Sequence, residues 1–133
     1  GLEEEWFAFE KHLYGCRLWD GSLPSESLEV EQRLIAHFRA VAKATELPVM
    51  VYNNPPIYKN DITPDILATL ADCDTIVCFK DSSGDTRRFI DTRQRVGDRF
   101  VLFAGLDDVV VESVAMGAVV RTRPATPAPL FVT

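Results

Sequence analysis

From residue 48 onward the chain alternates between two hydrophobic rhythms. Short β-branched and aromatic runs at 48–53, 75–80 and 100–104 are separated by stretches whose apolar residues return every three or four positions. The short runs predict strands and the longer periods predict helices. Asn53-Asn54-Pro55-Pro56 ends the first strand, because proline cannot continue a ladder. Thr63-Pro64-Asp65 has the chemistry of a helix start: a capping hydroxyl, a first-turn proline and an acid favourable to the dipole. That helix is expected to reach Ala71. Phe89, Ile90 and Val96 mark the inward face of a helix over 85–96, with Gly97 as its stop. A further helix is expected from Leu106 to Met116, and Ala118-Val119-Val120 begins a fourth strand. Upstream, Leu28, Leu34, Ile35, Phe38, Val41 and Ala42 predict a helix from Ser25 to about Glu46. Leu2, Trp6, Phe9 and Leu13 predict another over 2–13, and the glycine- and proline-containing stretch 14–24 reads as a loop.

The three strands end at Tyr52, Lys80 and Gly105, 28 and 25 residues apart, which is the length of one strand–helix unit. The fold class is therefore α/β, with parallel strands joined by right-handed crossovers. Alternation along the strands places Met50 and Tyr52 on one face, together with Ile76, Cys78 and Lys80. Val49, Val51, Val77 and Phe79 take the opposite, helix-covered face. Neighbouring strands lie about 5 Å apart. A phenol and an amine at matching strand ends can then meet over one substrate, at the end of the sheet where parallel α/β folds bind ligands.

Lys80 closes an apolar run and opens the turn Asp81-Ser82-Ser83-Gly84. Asp81, Ser82 and Ser83 are expected to accept hydrogen bonds from the free N–H groups of the following helix. Partial desolvation of the lysine favours the neutral amine, a nucleophile for carbonyl carbon. A strand-end lysine also arises simply because the chain has reached water. Tyr52 at the matching position is what lifts Lys80 above that reading.

Composition narrows the partners. A chain of 133 residues suggests one domain, and a net charge of −6 argues against nucleic acid, whose phosphates need a basic surface. Arg87, Arg88, Arg93, Arg95 and Arg99 form a basic cluster, interleaved with acids, that reads as a solvated helix face. No apolar run approaches a membrane span, and the acidic start Gly-Leu-Glu-Glu-Glu-Trp is unlike a signal peptide. Cys16, Cys73 and Cys78 lack metal-ligand spacing and suggest reduced thiols in a cytoplasmic protein; His12 and His37 read as surface or boundary residues.

Val-Tyr-Asn-Asn-Pro at 51–55, Phe-Lys-Asp-Ser-Ser-Gly-Asp at 79–85 and Ala-Gly-Leu-Asp-Asp at 104–108 together resemble the dihydrodipicolinate synthase / N-acetylneuraminate lyase family. These are class I, Schiff-base-forming (β/α)₈ barrels acting on 2-oxo acids. The resemblance spans residues 28–119 and implies a partial TIM barrel. It implies that Lys80 forms an imine with the 2-oxo carbonyl and that Tyr52 carries protons to and from the substrate. Gly105, Asp107 and Asp108 are implied to meet the substrate's hydroxyl-bearing tail. Pyruvate or a sugar-derived 2-keto-3-deoxy acid is the implied substrate, with no cofactor or metal, and the protein is expected to be a homo-oligomer.

Departures from the family pattern shape a second expectation. A complete barrel takes about 250 residues, so this chain supplies the latter strands only. The family's Gly-Thr-Thr stretch, which holds the substrate carboxylate, has no counterpart here. Residues 1–27 match nothing in the family, and 120–133 form a tail in which three prolines in six residues cannot make a central barrel strand. Dihydrodipicolinate synthases proper carry an arginine five residues after the tyrosine, where this chain has Ile57. The second reading is therefore a truncated, inactive half-barrel that folds or acts only with a partner chain. A third is an open flavodoxin-like sheet that binds an anion at Ser82-Ser83-Gly84.

Overall fold

The computed structural model describes residues 25–120 and 130–132. Two compact units divide the chain, Gly1–Val30 and Glu31–Thr133. The first is described only over residues 25–30, where a helix opens; the expected helix over 2–13 and loop over 14–24 lie outside the described residues. The second unit carries the sheet and its helices.

Helix α1 (Ser25–Ala44) leads into strand β1 (Val49–Asn53), a one-turn helix α2 (Pro55–Tyr58) and helix α3 (Pro64–Thr69). Strand β2 (Ile76–Asp81), helix α4 (Arg87–Val96), strand β3 (Val101–Ala104) and helix α5 (Val110–Ala115) continue the alternation. A three-residue strand β4 (Leu130–Val132) comes last. The sheet order is β3-β2-β1-β4, and every pairing is parallel.

Two details of this order depart from the sequence reading. Ala118–Val120 does not become a named strand; Val119 makes one parallel bridge to Phe103 beyond β3. The proline-rich tail does hold a strand, but it lies after the last proline and at the sheet edge beside β1, where a missing donor costs least.

One face of the sheet is packed under the helices. Phe38 and Ala42 of α1 meet Val49, Val51, Ile76, Phe79 and Leu102 of the strands, with Ile66, Leu67 and Leu70 from around α3 and Phe89 from α4. Phe38, Leu67, Leu70 and Ile76 are at most 1 % exposed. Each such side chain contributes about 1.5–3 kcal/mol relative to exposure, so this layer anchors the strands that carry the site. Ile76 belongs to it rather than to the face of Cys78 and Lys80. A register shift between Val49 and Met50 opposes Val49 to Ile76 but Met50 to Cys78, so one residue of β2 is extra and the alternation resets. On α4, Ile90 is 39 % exposed and Thr92 takes the buried place instead.

Capping chemistry works at α3, where the Thr63 side chain accepts from the Ile66 N–H and Pro64 begins the helix. At α4 it does not: Thr86 is the cap residue and makes no side-chain cap bond. The basic cluster is also more than a solvated face. Arg99 donates to the carbonyls of Ala71, Cys73 and Ile76, pinning the α3–β2 connection from the far side of α4.

Candidate active site

The carboxyl ends of β1 and β2 run in matched register, with Tyr52 opposite Lys80 and Asn53 opposite Asp81. The Lys80 amine stands over the Tyr52 ring, 4.9 Å from its centroid. Phenol and amine are thus on adjacent parallel strands and on one face, both half-buried. Phe103 of β3 lies opposite Lys80 on the other side. The Tyr52 oxygen accepts hydrogen bonds from Asn54 Nδ2 at 3.0 Å and Ser82 Oγ at 3.2 Å. Tyr58, brought round by α2, meets the Tyr52 ring edge-on at a centroid distance of 5.9 Å. The turn that does this closes on Lys59, a non-glycine residue in the left-handed region at φ 61°, whose amine donates to the Pro56 carbonyl. Ile57 sits on the outer side of the same turn, 66 % exposed.

The neighbouring pair points the other way and is saturated. Asn53 Nδ2 donates to Asp81 at 2.7 Å and to Asp61 at 3.1 Å, while its oxygen accepts from the Ile62 N–H. The second Asp81 oxygen accepts from Ser83 Oγ. Arg88 of α4 grips Asp61 with two parallel bonds of 2.5 and 2.7 Å. Burial pushes the Asp81 carboxyl above the usual carboxylate range, against the Ser83 and Asn53 bonds that favour the charge. The Arg88 hydrogen bonds hold Asp61 below that range. This network ties β1, β2, α4 and the approach to α3 at the level of the Tyr52–Lys80 pair.

Asp81, Ser82 and Ser83 do not cap the next helix as their sequence pattern suggests. They turn inward instead: Asp81 to Asn53, Ser82 to Tyr52 and Ser83 to Asp81. The Ser83 hydroxyl also accepts from the Asp85 N–H, and Asp85 accepts from the Arg87 N–H. Sequence reasoning missed Asn53, Asp61, Ser82 and Arg88 as parts of the site's frame. The signal was there in Asn53 and Asp81, one position beyond Tyr52 and Lys80 and therefore obliged to pair across the same two strands.

Gly105 lies at the third strand end. Its N–H donates to the Asp81 carbonyl at 2.8 Å. A Cβ there would collide with Ser82 Oγ and stand 2.5 Å from the Asp81 oxygen, so the close approach of β3 to β2 requires glycine. Asp107 and Asp108 are exposed in the approach to α5, and among the described residues neither is hydrogen-bonded to Tyr52 or Lys80. Cys78 is half-buried, and burial raises its thiol above the ordinary value, as suits a packing residue. Among the described residues no group of three or more His, Cys, Asp or Glu is placed to hold a metal ion. None of the described helices is long and apolar enough to cross a membrane.

Comparison with known proteins agrees with the three motifs. A 4-hydroxy-tetrahydrodipicolinate synthase of Rhizorhabdus wittichii is 40 % identical over 97 residues, covering 73 % of this chain and 33 % of that protein. One from Idiomarina loihiensis is 38 % identical over 84 residues, 63 % of this chain and 28 % of the relative. The chain therefore spans about a third of the length of the curated relatives it matches. Dihydrodipicolinate synthase from Aquifex aeolicus superposes with a TM-score of 0.64 at 29 % identity, over 71 % of this chain and 33 % of that one. The chloride-inhibited enzyme of Acinetobacter baumannii, solved with pyruvate, gives 0.64 at 28 % identity over the same shares. These neighbours are (β/α)₈ barrels, and the parallel sheet described above is a section of that architecture. The profile of the dihydrodipicolinate synthetase family matches residues 29–122, and the chain belongs to that family.

Proposed function

We propose that this chain carries the imine-forming half of a class I lyase site acting on a 2-oxo acid, pyruvate or a sugar-derived 2-keto-3-deoxy acid. The single observation that supports it is the Lys80 amine over the Tyr52 ring, on adjacent strand ends. In this reading the neutral Lys80 amine adds to the 2-oxo carbon. Tyr52 gives a proton to the departing hydroxyl, which leaves as water, and the nitrogen keeps one proton in a cationic imine. The imine draws electrons from the adjacent carbon. The Tyr52 phenoxide then takes a proton from that carbon, leaving a neutral enamine and restoring the phenol. An enamine carbon can form or break a C–C bond. Ile57 in place of the family's arginine disfavours a second substrate bearing a second carboxylate and favours the sugar-acid branch.

Trapping tests this directly. Pyruvate and borohydride are added to the full chain and the protein is weighed. The expected result is one reduced adduct, on Lys80, absent from Lys80→Ala. A second reading rests on the open inner face, where Val101 of β3 is 48 % exposed. There the section binds substrate only when a second chain, such as another copy, supplies the remaining strands. Folded protein with no adduct, and no association by sedimentation, would count against both.

A further inference from the structure

We infer that Ser82 is a positioning residue for the Tyr52 phenol, and that Gly105 is side-chain-free so that Ser82 can hold that place. The inference deepens the proposed function and rests on Tyr52 acting as its proton carrier. Ser82 is 1 % exposed, so its hydroxyl must find a protein partner. Its backbone is fixed independently of its side chain, because its N–H donates to the Asn53 carbonyl at 2.8 Å. From there Oγ donates to the Tyr52 oxygen at 3.2 Å. Asn54 donates to the same oxygen from the β1 side at 3.0 Å. The phenol oxygen is therefore clamped between donors from two strands. Since both bonds end on the oxygen, the proton it carries is the one left to hand on. The third strand sets the spacing: the Gly105 N–H is bonded to the Asp81 carbonyl, and any Cβ at Gly105 would occupy the room that Ser82 Oγ uses. Three successive strand ends thus converge on one phenol.

A bland alternative is that Ser82 is merely a buried hydroxyl that has found an acceptor. The two are separated by measuring proton transfer apart from imine formation. In heavy water, the full chain given pyruvate should exchange the methyl protons for deuterium, followed by NMR. Ser82→Ala should slow that exchange about tenfold, the effect of about 1.4 kcal/mol in the transition state, while borohydride traps the same fraction of adduct. Thr75→Ala, which removes a hydroxyl bonded to the Ala42 carbonyl at the opposite end of β2, should leave the exchange near the wild-type rate. A second measurement does not need turnover. In protein labelled at tyrosine Cζ with carbon-13, the Tyr52 resonance, assigned with Tyr52→Phe, should move in Ser82→Ala and stay in Thr75→Ala. An unmoved resonance, or wild-type exchange in Ser82→Ala, overturns the inference. If the wild-type protein gives no adduct and no exchange, the proposed function fails, and the resonance alone decides whether Ser82 holds Tyr52.

Discussion

Tyr52 with Lys80, and Asn53 with Asp81, are consecutive pairs across the same two strands, yet they live in different chemical worlds. Asn53 and Asp81 are 1 % and 5 % exposed and committed on every side, to each other, to Asp61, to Ser83 and to the backbone of Ile62. Tyr52 and Lys80 are half-buried. Among the described residues the Lys80 amine has only the face of an aromatic ring for company. The comparison teaches how a parallel sheet separates support from chemistry. Because side chains alternate, one residue of each strand end can be locked into the helix-side frame while its neighbour stays available. The amine needs no hydrogen bond to hold it in place when the residue beside it fixes the strand.

Substitutions on the two sides should therefore dissociate reaction from folding. Lys80→Ala is expected to abolish the pyruvate–borohydride adduct completely while changing the unfolding free energy by less than about 1 kcal/mol, as surface-type truncations do. Urea melts and mass spectrometry read both. A loss of stability of several kcal/mol would mean that the lysine is part of the frame after all. Asn53→Leu should do the reverse. It takes one of its two partners from the buried Asp81 carboxylate and leaves the buried Ile62 N–H unpaired, at a cost of about 3 kcal/mol. The fraction that remains folded should still form adduct.

That dissociation also explains what could be read from the sequence. The strand-ending lysine and tyrosine were legible because each closes a β-branched run, and runs of that kind fix strand ends to within a residue. Their convergence followed from the spacing of the strand ends and from alternation along each strand. The frame was less legible. Asp81, Ser82 and Ser83 fit a helix-cap pattern, and that local pattern outweighed the non-local signal from Asn53, 28 residues earlier and one position beyond Tyr52. The placing of Ile76 failed for a related reason. Strict alternation assumes an unbroken ladder, and the register shift beside Val49 is set by pairing, not by composition. Arg88 and Arg99 were hidden among five arginines of similar spacing; only tertiary contact distinguishes Arg87, 81 % exposed on its side chain, from Arg88 at 19 %. The short helix α2 was obscured by its two prolines, which read as strand breakers and are equally good helix openers.

Gly105 joins the two sides, because its backbone meets Asp81 and its missing side chain makes room for Ser82. Gly105→Ala should cost about 2 kcal/mol, in the range of overpacked core positions, since the nearest obstacle includes backbone and cannot swing away. It should also slow methyl exchange of pyruvate, by displacing Ser82 from Tyr52. A variant as stable as wild type would show that β3 can move away from β2 at no cost, and the strand ends would then be less rigid than the frame implies.

Arg88→Met sharpens the comparison with the smallest expected effect, and pH supplies the sign. The Arg88 hydrogen bonds hold Asp61 below its ordinary value, with Asn53 adding to this and burial opposing it. A carboxyl whose folded value is depressed contributes stability that is complete above its unfolded value, near 3.9. That contribution is lost as pH falls through the lower, folded value. Asp81 runs the opposite way. Burial raises its folded value, so its charge opposes folding, and acidification through that value relieves the penalty. Arg88 also helps Asp81 keep its charge, so the variant should raise Asp81 further while releasing Asp61. The Asp61 side chain is 39 % exposed, and solvent weakens the pair, so about 1 kcal/mol at neutral pH is the expected loss. The gap between wild type and variant should shrink as pH falls and close once Asp61 is protonated in both. Urea midpoints measured from pH 7 down to the acid limit of folding test this. A gap that stays constant across that range would assign the Arg88 contribution to packing of its stem, and the charged frame beside Tyr52 and Lys80 would reduce to Asn53, Asp81 and Ser83.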